Sequence, residues 1–329
     1  MAIDAPSPVE ERALLAAACA GDEQAFERLL EPHRRALRVH CYRLLGTLHD
    51  GEDALQETSL RAWRSLDRFE PRSPFRAWLY RIATNVCLTA IERRARAPEA
   101  LDPDEAEVAS YLQPYPDRLL DTDLAVEERE SVGLAFVSVM QLLPARQRAV
   151  LVLREVLGWS AKEVADQLGD SVASVNSALQ RARERLERER AAGRLARDHA
   201  PASPESEARL MQMFVAAWEA VDVDAIVALL AEDAVMTMPP EPMRLAGTQA
   251  IAEFLRTVPA EGALERIRLL PTRANGQPAL AAYLEDDGGS FEAYGVMVFA
   301  HSGDEVASIT GFAGYPELFP ELGLPLALD

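Results

Sequence analysis

Hydrophobic residues recur every three or four positions from Val9 to Arg96, which is the spacing of amphipathic helices. Asp22 is predicted to cap one helix, Asp50 to open a second, and Pro74 to stand at the start of a third. The predicted buried faces are Phe26, Leu29, Leu30, Leu37 and Leu44; then Ala54, Leu55, Ala62, Trp63 and Leu66; then Trp78, Leu79, Ile82, Val86, Ala90 and Ile91. This part of the chain is therefore predicted to be an all-α bundle.

A second helical pattern, residues 158–189, predicts two helices joined by a tight turn. Ser160 and Glu163 have the spacing of a capping box, and Gly169 can end the first helix in a left-handed conformation. Val175, Leu179, Ala182 and Leu186 give the second helix its buried stripe. A short helix, a glycine turn and a helix with outward polar residues predict a helix-turn-helix that docks in a DNA major groove. An ordinary helical hairpin is the alternative.

Two stretches between these patterns are typical of linkers. Residues 98–126 are acidic and contain prolines, which predicts an extended connection. Within it, residues 111–117 (YLQPYPD) are stiffer and more aromatic than a tether requires, so we expect them to dock on a surface that the sequence does not identify. A second linker is predicted at 199–204 (HAPASP).

The last part of the chain changes from helical spacing to alternation, which predicts an α+β domain. Helices are expected at 205–220, 223–230 and 248–256, and strands at 234–238, 264–272, 279–284, 291–300 and 305–312. Asp286-Asp-Gly-Gly is a hairpin turn signal. The tail 314–325 is apolar, and we expect Leu318, Phe319, Leu322 and Leu324 to pack on another domain.

The charge distribution allows a nucleic-acid partner although the formal net charge is −19. Acidic residues crowd 99–130 and the chain beyond 203, whereas arginines cluster at 34–43, 72–96 and 181–197. A net charge describes solubility and the long-range field, so it does not exclude local docking faces on DNA.

The compartment and the cofactors also follow from composition. Cys19, Cys41 and Cys87 show no metal-ligand spacing, the first twelve residues show no signal peptide, and no apolar run approaches the roughly 20 residues that span a bilayer. We therefore expect a cytoplasmic protein that has no membrane partner and needs neither a cofactor nor a metal.

Two motifs of the first bundle and the helix-turn-helix together resemble one family. Residues 53–63 (DALQETSLRAW) and 75–86 (FRAWLYRIATNV) resemble the second conserved region of sigma factors, and the helix-turn-helix resembles their fourth region. The chain thus resembles the extracytoplasmic-function (ECF) subfamily of the sigma-70 family over about its first three-fifths.

The resemblance implies which residues bind polymerase and DNA. Asp53, Gln56, Glu57 and Arg61 share one helix face and would bind the clamp coiled coil of core RNA polymerase, although such a stripe is also typical of a solvated face. Asn85 would lie beside the pocket for a promoter base that leaves the stack. The remaining implied DNA contacts are Arg76, Tyr80 and Arg81 at the −10 element, and Asn176, Ser177, Gln180, Arg181 and Arg183 at the −35 element.

The C-terminal part resembles the SnoaL-like (NTF2-like) cone, in which helices close over a curved sheet. Residues 214–218, 222–226 and 230–235 carry this looser likeness. It implies a domain that contacts the sigma regions within the chain and modulates them in cis. Some cones are enzymes or bind small molecules, and the candidate catalytic residues here are Asp233, Glu253, Tyr283, Tyr294 and His301.

The expected organisation is region 2, a linker, region 4 and a SnoaL-like domain, at residues 1–97, 98–126, 127–198 and 199–329. The expected function is that of a sigma factor without catalytic residues, which recruits core polymerase, reads the −35 and −10 elements and opens DNA. Two alternatives stay open: a stand-alone helix-turn-helix regulator whose cone senses a small-molecule ligand, and a fused cone enzyme.

Overall fold

The computed structural model describes residues 6–69, 74–95, 112–120, 132–191, 203–239, 241 and 243–328. The chain divides into two compact units. The first comprises Met1–Ala100, Leu119–Ser131 and Met140–Arg185, and the second comprises Leu101–Arg118, Val132–Val139 and Leu186–Asp329.

The first unit begins with four helices: α1 Pro8–Cys19, α2 Glu23–Leu45, α3 Leu48–Arg64 and α4 Phe75–Ala95. Asp22 caps α2 as predicted, and Pro74 directly precedes α4. The start of α3 differs from the expectation. Thr47 is its N-cap and accepts a hydrogen bond from the backbone N–H of Asp50 at 3.0 Å, because its hydroxyl reaches the orphan donor of the first turn. Asp50 instead accepts a 2.6 Å bond from the Thr47 hydroxyl.

The helix-turn-helix is confirmed. Four helices form this part of the chain: α5 Leu134–Gln141, α6 Ala145–Leu151, α7 Ala161–Leu168 and α8 Val172–Ala191. A π-helical stretch, Val152–Val156, extends α6. Ser160 and Glu163 form the predicted capping box, and Gly169 ends α7 with φ 63° and ψ 42°. Positive φ costs glycine little, so the turn that aims α8 is encoded locally.

The second unit holds a curved seven-stranded sheet under helices. Its helices are α9 Pro204–Glu219, α10 Val223–Val227, α11 Thr248–Thr257 and α12 Leu318–Glu321. Its strands are β1 Leu230–Thr237, β2 Arg244–Ala246, β3 Ile267–Ala274, β4 Gln277–Glu285, β5 Phe291–Ser302, β6 Glu305–Ala313 and β7 Ala327–Leu328. The order is β2-β1-β6-β5-β4-β3, and β7 pairs with β5.

The core of this unit lies between α9 and the concave face of the sheet. Phe214 of α9 packs edge-to-face on Phe299 of β5, with ring centroids 5.0 Å apart. Trp218 is buried beside them, and its indole Nε1 donates to the carbonyl oxygen of Ile267 at 3.1 Å. The prediction that this domain belongs to the α+β class is confirmed.

The predicted elements differ from the structure at two points, and the sheet is mostly antiparallel as expected. The helix expected to reach Leu230 ends at Val227, and β1 begins at Leu230. The strands β2 and β7 were missed because segments of three and two residues carry no readable alternation. The pair β1–β6 is parallel, whereas the other pairs are antiparallel.

The apolar tail packs on its own domain, so the expectation of packing on another domain was wrong. Phe319 is 0% exposed and contacts Tyr283 of β4 edge-to-face, with ring centroids 5.1 Å apart. Tyr283 donates its hydroxyl to the carbonyl oxygen of Pro325 at 2.9 Å. Tyr283 alternates with Ala282, which belongs to the core under α9, so the tail covers the opposite face of the sheet.

None of the described helices is long and apolar enough to cross a membrane. In the part of the chain that the structure describes, no group of three or more His, Cys, Asp or Glu side chains is placed to hold a metal.

Candidate nucleic-acid interface

A surface cavity of about 320 Å³ opens where the end of α3 meets α4. Arg61, Arg64 and Ser65 line it from α3 and its C-cap, and Ile82 and Asn85 line it from α4. The cavity combines an apolar wall with one amide, one hydroxyl and two guanidinium groups. This is the chemistry that can hold one flat base through its edge and its phosphate. The sequence pointed to Asn85, but it did not single out Arg64 or Ser65.

Tyr80 of α4 differs from the expected DNA contact. It is 3% exposed, its ring meets the imidazole of His40 edge-to-face at 4.9 Å, and the guanidinium of Arg76 lies 5.5 Å above the ring centroid. Because α4 is covered on more than one face, the ring of Tyr80 is buried and cannot stack on a DNA base. Arg76 itself is exposed and remains a candidate.

Arg81 lies on the exposed side of α4 and contacts the helix-turn-helix. Its Nε donates to Oε1 of Gln167 at 3.1 Å, and Nε2 of Gln167 donates to the Arg81 carbonyl oxygen at 3.0 Å. Gln167 lies on α7 and is buried.

The polar stripe of α3 faces solvent in the first unit. Asp53, Gln56 and Arg61 are exposed, and Glu57 is half-buried. Nε of Arg61 donates to Oε1 of Glu57 at 2.6 Å. The buried side of the helix carries Leu55, so the predicted division into two faces is confirmed.

The five predicted −35 residues of α8, namely Asn176, Ser177, Gln180, Arg181 and Arg183, are all exposed. The opposite side of α8 is buried through Val175, Ala178, Leu179 and Ala182. Two of the five have intramolecular partners: Gln180 Nε2 donates to Glu184 Oε1 at 2.9 Å, and Arg183 pairs with Glu155 at 2.8 Å. A DNA contact by either side chain therefore exchanges one polar partner for another.

Arg148 of α6 is a structural residue that sequence reasoning missed. It is 6% exposed and donates to the carbonyl oxygens of Leu44, Gln141 and Leu143, the last two at 2.9 and 3.2 Å. Burial lowers its pKa to about 10, and the charge of Arg94 acts in the same direction. The guanidinium thus satisfies the Leu44 carbonyl in the last turn of α2 and two carbonyls at and just beyond the end of α5. Because these partners are backbone carbonyls, which every residue has, the sequence carries no signal for this role of Arg148.

In the second unit, the turn between β3 and β4 binds the linker. Asn275 is 1% exposed with φ 59°, and its backbone and side chain make three contacts. The backbone N–H of Asn275 donates to the carbonyl oxygen of Tyr115 at 2.7 Å, and Oδ1 of Asn275 accepts from the backbone N–H of Tyr115 at 2.8 Å. Nδ2 of Asn275 donates to the carbonyl oxygen of Val132 at 2.7 Å. Oε1 of Gln277 accepts from the Leu134 N–H at 3.0 Å. We call the turn formed by Asn275, Gly276 and Gln277 the linker clasp.

Neighbouring charges hold the same linker segment. Oδ1 of Asp117 accepts from the Gly276 N–H at 2.7 Å, and Oδ2 of Asp117 pairs with Arg273 at 3.2 Å. Arg118 pairs with Glu321 of the tail at 2.8 Å. Tyr115 is 0% exposed. The expectation that the YLQPYPD segment docks is therefore confirmed for residues 112–117; Tyr111 lies outside the described residues.

The five candidate catalytic residues of the cone do not meet in the described structure. Asp233 and Glu253 are exposed, and Tyr283 faces the tail. Tyr294 packs beside the apolar core, and His301 Nε2 lies 3.4 Å from a Glu207 carboxylate oxygen. A groove of about 430 Å³ between α9 and β3–β4 is lined by none of the five.

Comparison with known proteins gives a consistent assignment along the chain. A model of sigma-70 region 2 matches residues 29–97, one of sigma-70 region 4 matches 134–186, and one of the SnoaL-like domain matches 211–309. These matches lie inside the predicted domains, whose own boundaries stay predictions.

Two relatives and one solved structure support the same assignment. The chain is 43% identical over 319 residues to the ECF RNA polymerase sigma factor SigG of Mycobacterium tuberculosis, covering 92% of this chain and 85% of SigG. It is 33% identical over 175 residues to SigW of Bacillus subtilis, covering 51% of this chain and 90% of SigW. The crystal structure of the sigma factor SigJ of M. tuberculosis has the same fold, with a TM-score of 0.62, 24% identity, and coverage of 90% of this chain and 98% of SigJ.

The fold and the matched regions define a sigma factor with an appended SnoaL-like domain. Within that class, the chain belongs to the ECF RNA polymerase sigma factors.

Proposed function

We propose that this sigma factor recruits core RNA polymerase in the cytoplasm to promoters, reading the −10 element with α4 and the −35 element with α8. The observation that carries the proposal is the cavity beside Asn85, which lies between two arginines of α3 and the exposed side of α4.

At the −10 element, one base leaves the stack and enters this cavity. Unstacking costs a few kcal/mol, so the pocket must return that free energy through hydrogen bonds. The Asn85 amide can donate and accept at a base edge, and Arg64 supplies a cation for an adjacent phosphate. Arg76 and Arg81 extend the contact along α4. Tyr80 is not part of the proposed contact because it is buried.

At the −35 element, the exposed side of α8 enters the major groove. Asn176, Ser177, Gln180 and Arg181 face base edges, and Arg183 lies nearer phosphates. Each good bidentate side-chain contact to a base discriminates by about 1–3 kcal/mol.

The exposed face of α3 binds the clamp coiled coil of polymerase. This face carries two carboxylates, Asp53 and Glu57, together with Gln56 and Arg61. A regulator that acts without polymerase does not need this face. The face therefore distinguishes the sigma factor hypothesis from that of a stand-alone regulator.

The C-terminal domain modulates this activity in cis. Support comes from the linker clasp, because hydrogen bonds from Asn275 and Gln277 reach both the linker and the residues that begin α5.

The experiment is run-off transcription with purified core polymerase and the full chain on genomic promoter fragments. Asn85→Ala is expected to lower specific transcripts at least tenfold and leave core binding unchanged. Thr89→Ala, an exposed change one turn further along α4, is the control and is expected to behave as wild type.

The double variant Asp53→Arg, Glu57→Arg tests the polymerase face and is expected to abolish core binding while sequence-specific DNA binding remains. If the wild-type chain gives no transcript yet binds DNA sequence-specifically, the proposal is wrong and the stand-alone regulator is correct.

A further inference from the structure

The linker clasp binds two distant points of the chain with one side chain. Oδ1 of Asn275 accepts from the N–H of Tyr115, and Nδ2 of Asn275 donates to the carbonyl of Val132. These two residues flank a stretch of sixteen, 116–131. The clasp therefore binds both ends of this stretch to one residue, so the stretch no longer adds to the reach between regions 2 and 4.

The closed loop halves the reach of the connection. Between Ala95, the end of α4, and Leu134, the start of α5, the chain has 38 residues, which extend to at most about 130 Å. With the clasp formed, the free path is the 19 residues between Ala95 and Tyr115, which extend to at most about 65 Å. This limit holds whatever conformation the connection adopts.

The clasp also fixes the start of region 4. Gln277 accepts from the N–H of Leu134, the first residue of α5, and Val132 is 0% exposed beside it. The first residue of α5 is thereby bound to the β3–β4 turn of the C-terminal domain.

We propose that the linker clasp sets the promoter spacer length this sigma factor accepts, with Asn275 as the positioning residue. Each base pair added between the −35 and −10 elements moves them about 3.4 Å apart and rotates them by about a tenth of a turn. A connection of limited reach accepts few such steps. The inference rests on the proposed reading of both elements by this chain.

Asparagine suits this position for two physical reasons. Its φ of 59° lies in the left-handed region, where Asn and Gly are tolerated better than other residues. Its amide supplies one acceptor and one donor, which the Tyr115 N–H and the Val132 carbonyl require. Asn275→Gly keeps the turn and removes both side-chain bonds, whereas Asn275→Asp keeps the acceptor and removes the donor.

The test is transcription by the full chain with core polymerase on a promoter series whose spacer changes in single base pairs. Wild type is expected to show a narrow optimum, with at least tenfold less transcript three base pairs beyond it. In Asn275→Gly this ratio is expected to fall to about threefold. Asp287→Asn, an exposed change in the β4–β5 turn, is the control and keeps the wild-type profile.

Two deletions test the closed loop directly. Removing four residues from 122–131 is expected to leave the spacer optimum in place, because the clasp bypasses them. Removing four residues from 98–111 shortens the free path by about 14 Å and is expected to disfavour the longer spacers. In the double variant Asn275→Gly, Gln277→Ala, which removes the side-chain bonds to both Val132 and Leu134, the two deletions are expected to act alike.

The outcomes separate three conclusions. A uniform loss of transcript at every spacer in Asn275→Gly, with the profile unchanged, overturns the proposal and leaves Asn275 a structural residue. Equal effects of the two deletions in the wild-type background also overturn it. An absence of transcripts from wild type at every spacer refutes the proposed function instead.

Discussion

Arg81 of α4 and Gln167 of α7 hold each other by two hydrogen bonds, at 3.1 and 3.0 Å, one from each side chain. Arg81 is also one of the side chains proposed to contact −10 DNA. This contact joins α4 to the first helix of the helix-turn-helix, so the two elements proposed to read the promoter are not independent.

The first prediction concerns this pair. Gln167→Ala removes the partner that competes with DNA for Arg81. A hydrogen bond contributes about 0.5–1.5 kcal/mol, so binding of a single-stranded −10 oligonucleotide by the free protein is expected to tighten about three- to tenfold. Fluorescence anisotropy titrations with the labelled oligonucleotide measure this change in affinity. Asp166→Ala, an exposed change at the neighbouring position, is the control; an equal effect of both variants contradicts the argument.

The second prediction concerns the pH dependence of stability. His40 is 0% exposed, and burial lowers its pKa from 6.5 to about 3, with the charge of Arg43 acting in the same direction. The Thr84 hydroxyl donates to the Tyr80 carbonyl at 2.8 Å, so Nε2 of neutral His40 donates to Thr84 Oγ1 at 2.9 Å.

These pKa values determine whether the stability rises or falls with pH. Above pH 6.5 His40 is neutral in both the folded and the unfolded states, so its contribution is fully present. As the pH falls from 6.5 towards 3, only the unfolded state binds the proton and stability is lost. Between pH 7 and 5 the loss is about 2 kcal/mol. Urea unfolding at both pH values is expected to show it in wild type, and His40→Phe is expected to reduce the difference by about that amount. An unchanged difference contradicts the prediction.

The third prediction separates base from phosphate contacts on α8. Gln180→Ala is expected to weaken binding to the cognate −35 element by about 1–3 kcal/mol and to relax preference at one base pair. Arg183→Ala is expected to weaken binding to all sequences alike and to reduce the slope of log affinity against log salt by about 1. Binding titrations at several salt concentrations on cognate and mismatched duplexes measure both. If the two variants show the same pattern, the division of roles is wrong.

The fourth prediction concerns the tail. Phe319→Ala removes a ring that is 0% exposed against Tyr283, and a change of this type costs about 3–5 kcal/mol. Thermal unfolding is expected to show a destabilised C-terminal domain, and promoter activity is expected to change because Glu321 of the tail binds Arg118 of the linker. Leu326→Ala, at a side chain that is 53% exposed, is the control. Removing all residues after Gly314 is expected to alter promoter activity without unfolding the two sigma regions; unchanged transcription by that truncation contradicts this.

Local features of the sequence were predictable because their partners lie within a few residues. The capping box of Ser160 and Glu163, the glycine turn at Gly169 and the exposed side of α8 each depend on contacts inside one or two helical turns. Asn85 was found through the motif around it, and the cavity then placed Arg64 and Ser65 beside it.

The sequence by itself determined the helices, their faces, the helix-turn-helix and the class of the C-terminal domain, since periodicity and caps act over short distances. Only the tertiary structure decided that Tyr80 is buried, that Arg148 binds the end of α2, and that Asn275 joins Tyr115 to Val132. These contacts link residues as far as 160 positions apart. Arg148 and Asn275 bind backbone carbonyl and N–H groups, which occur all along the chain, so no side-chain pattern in the sequence predicts these contacts.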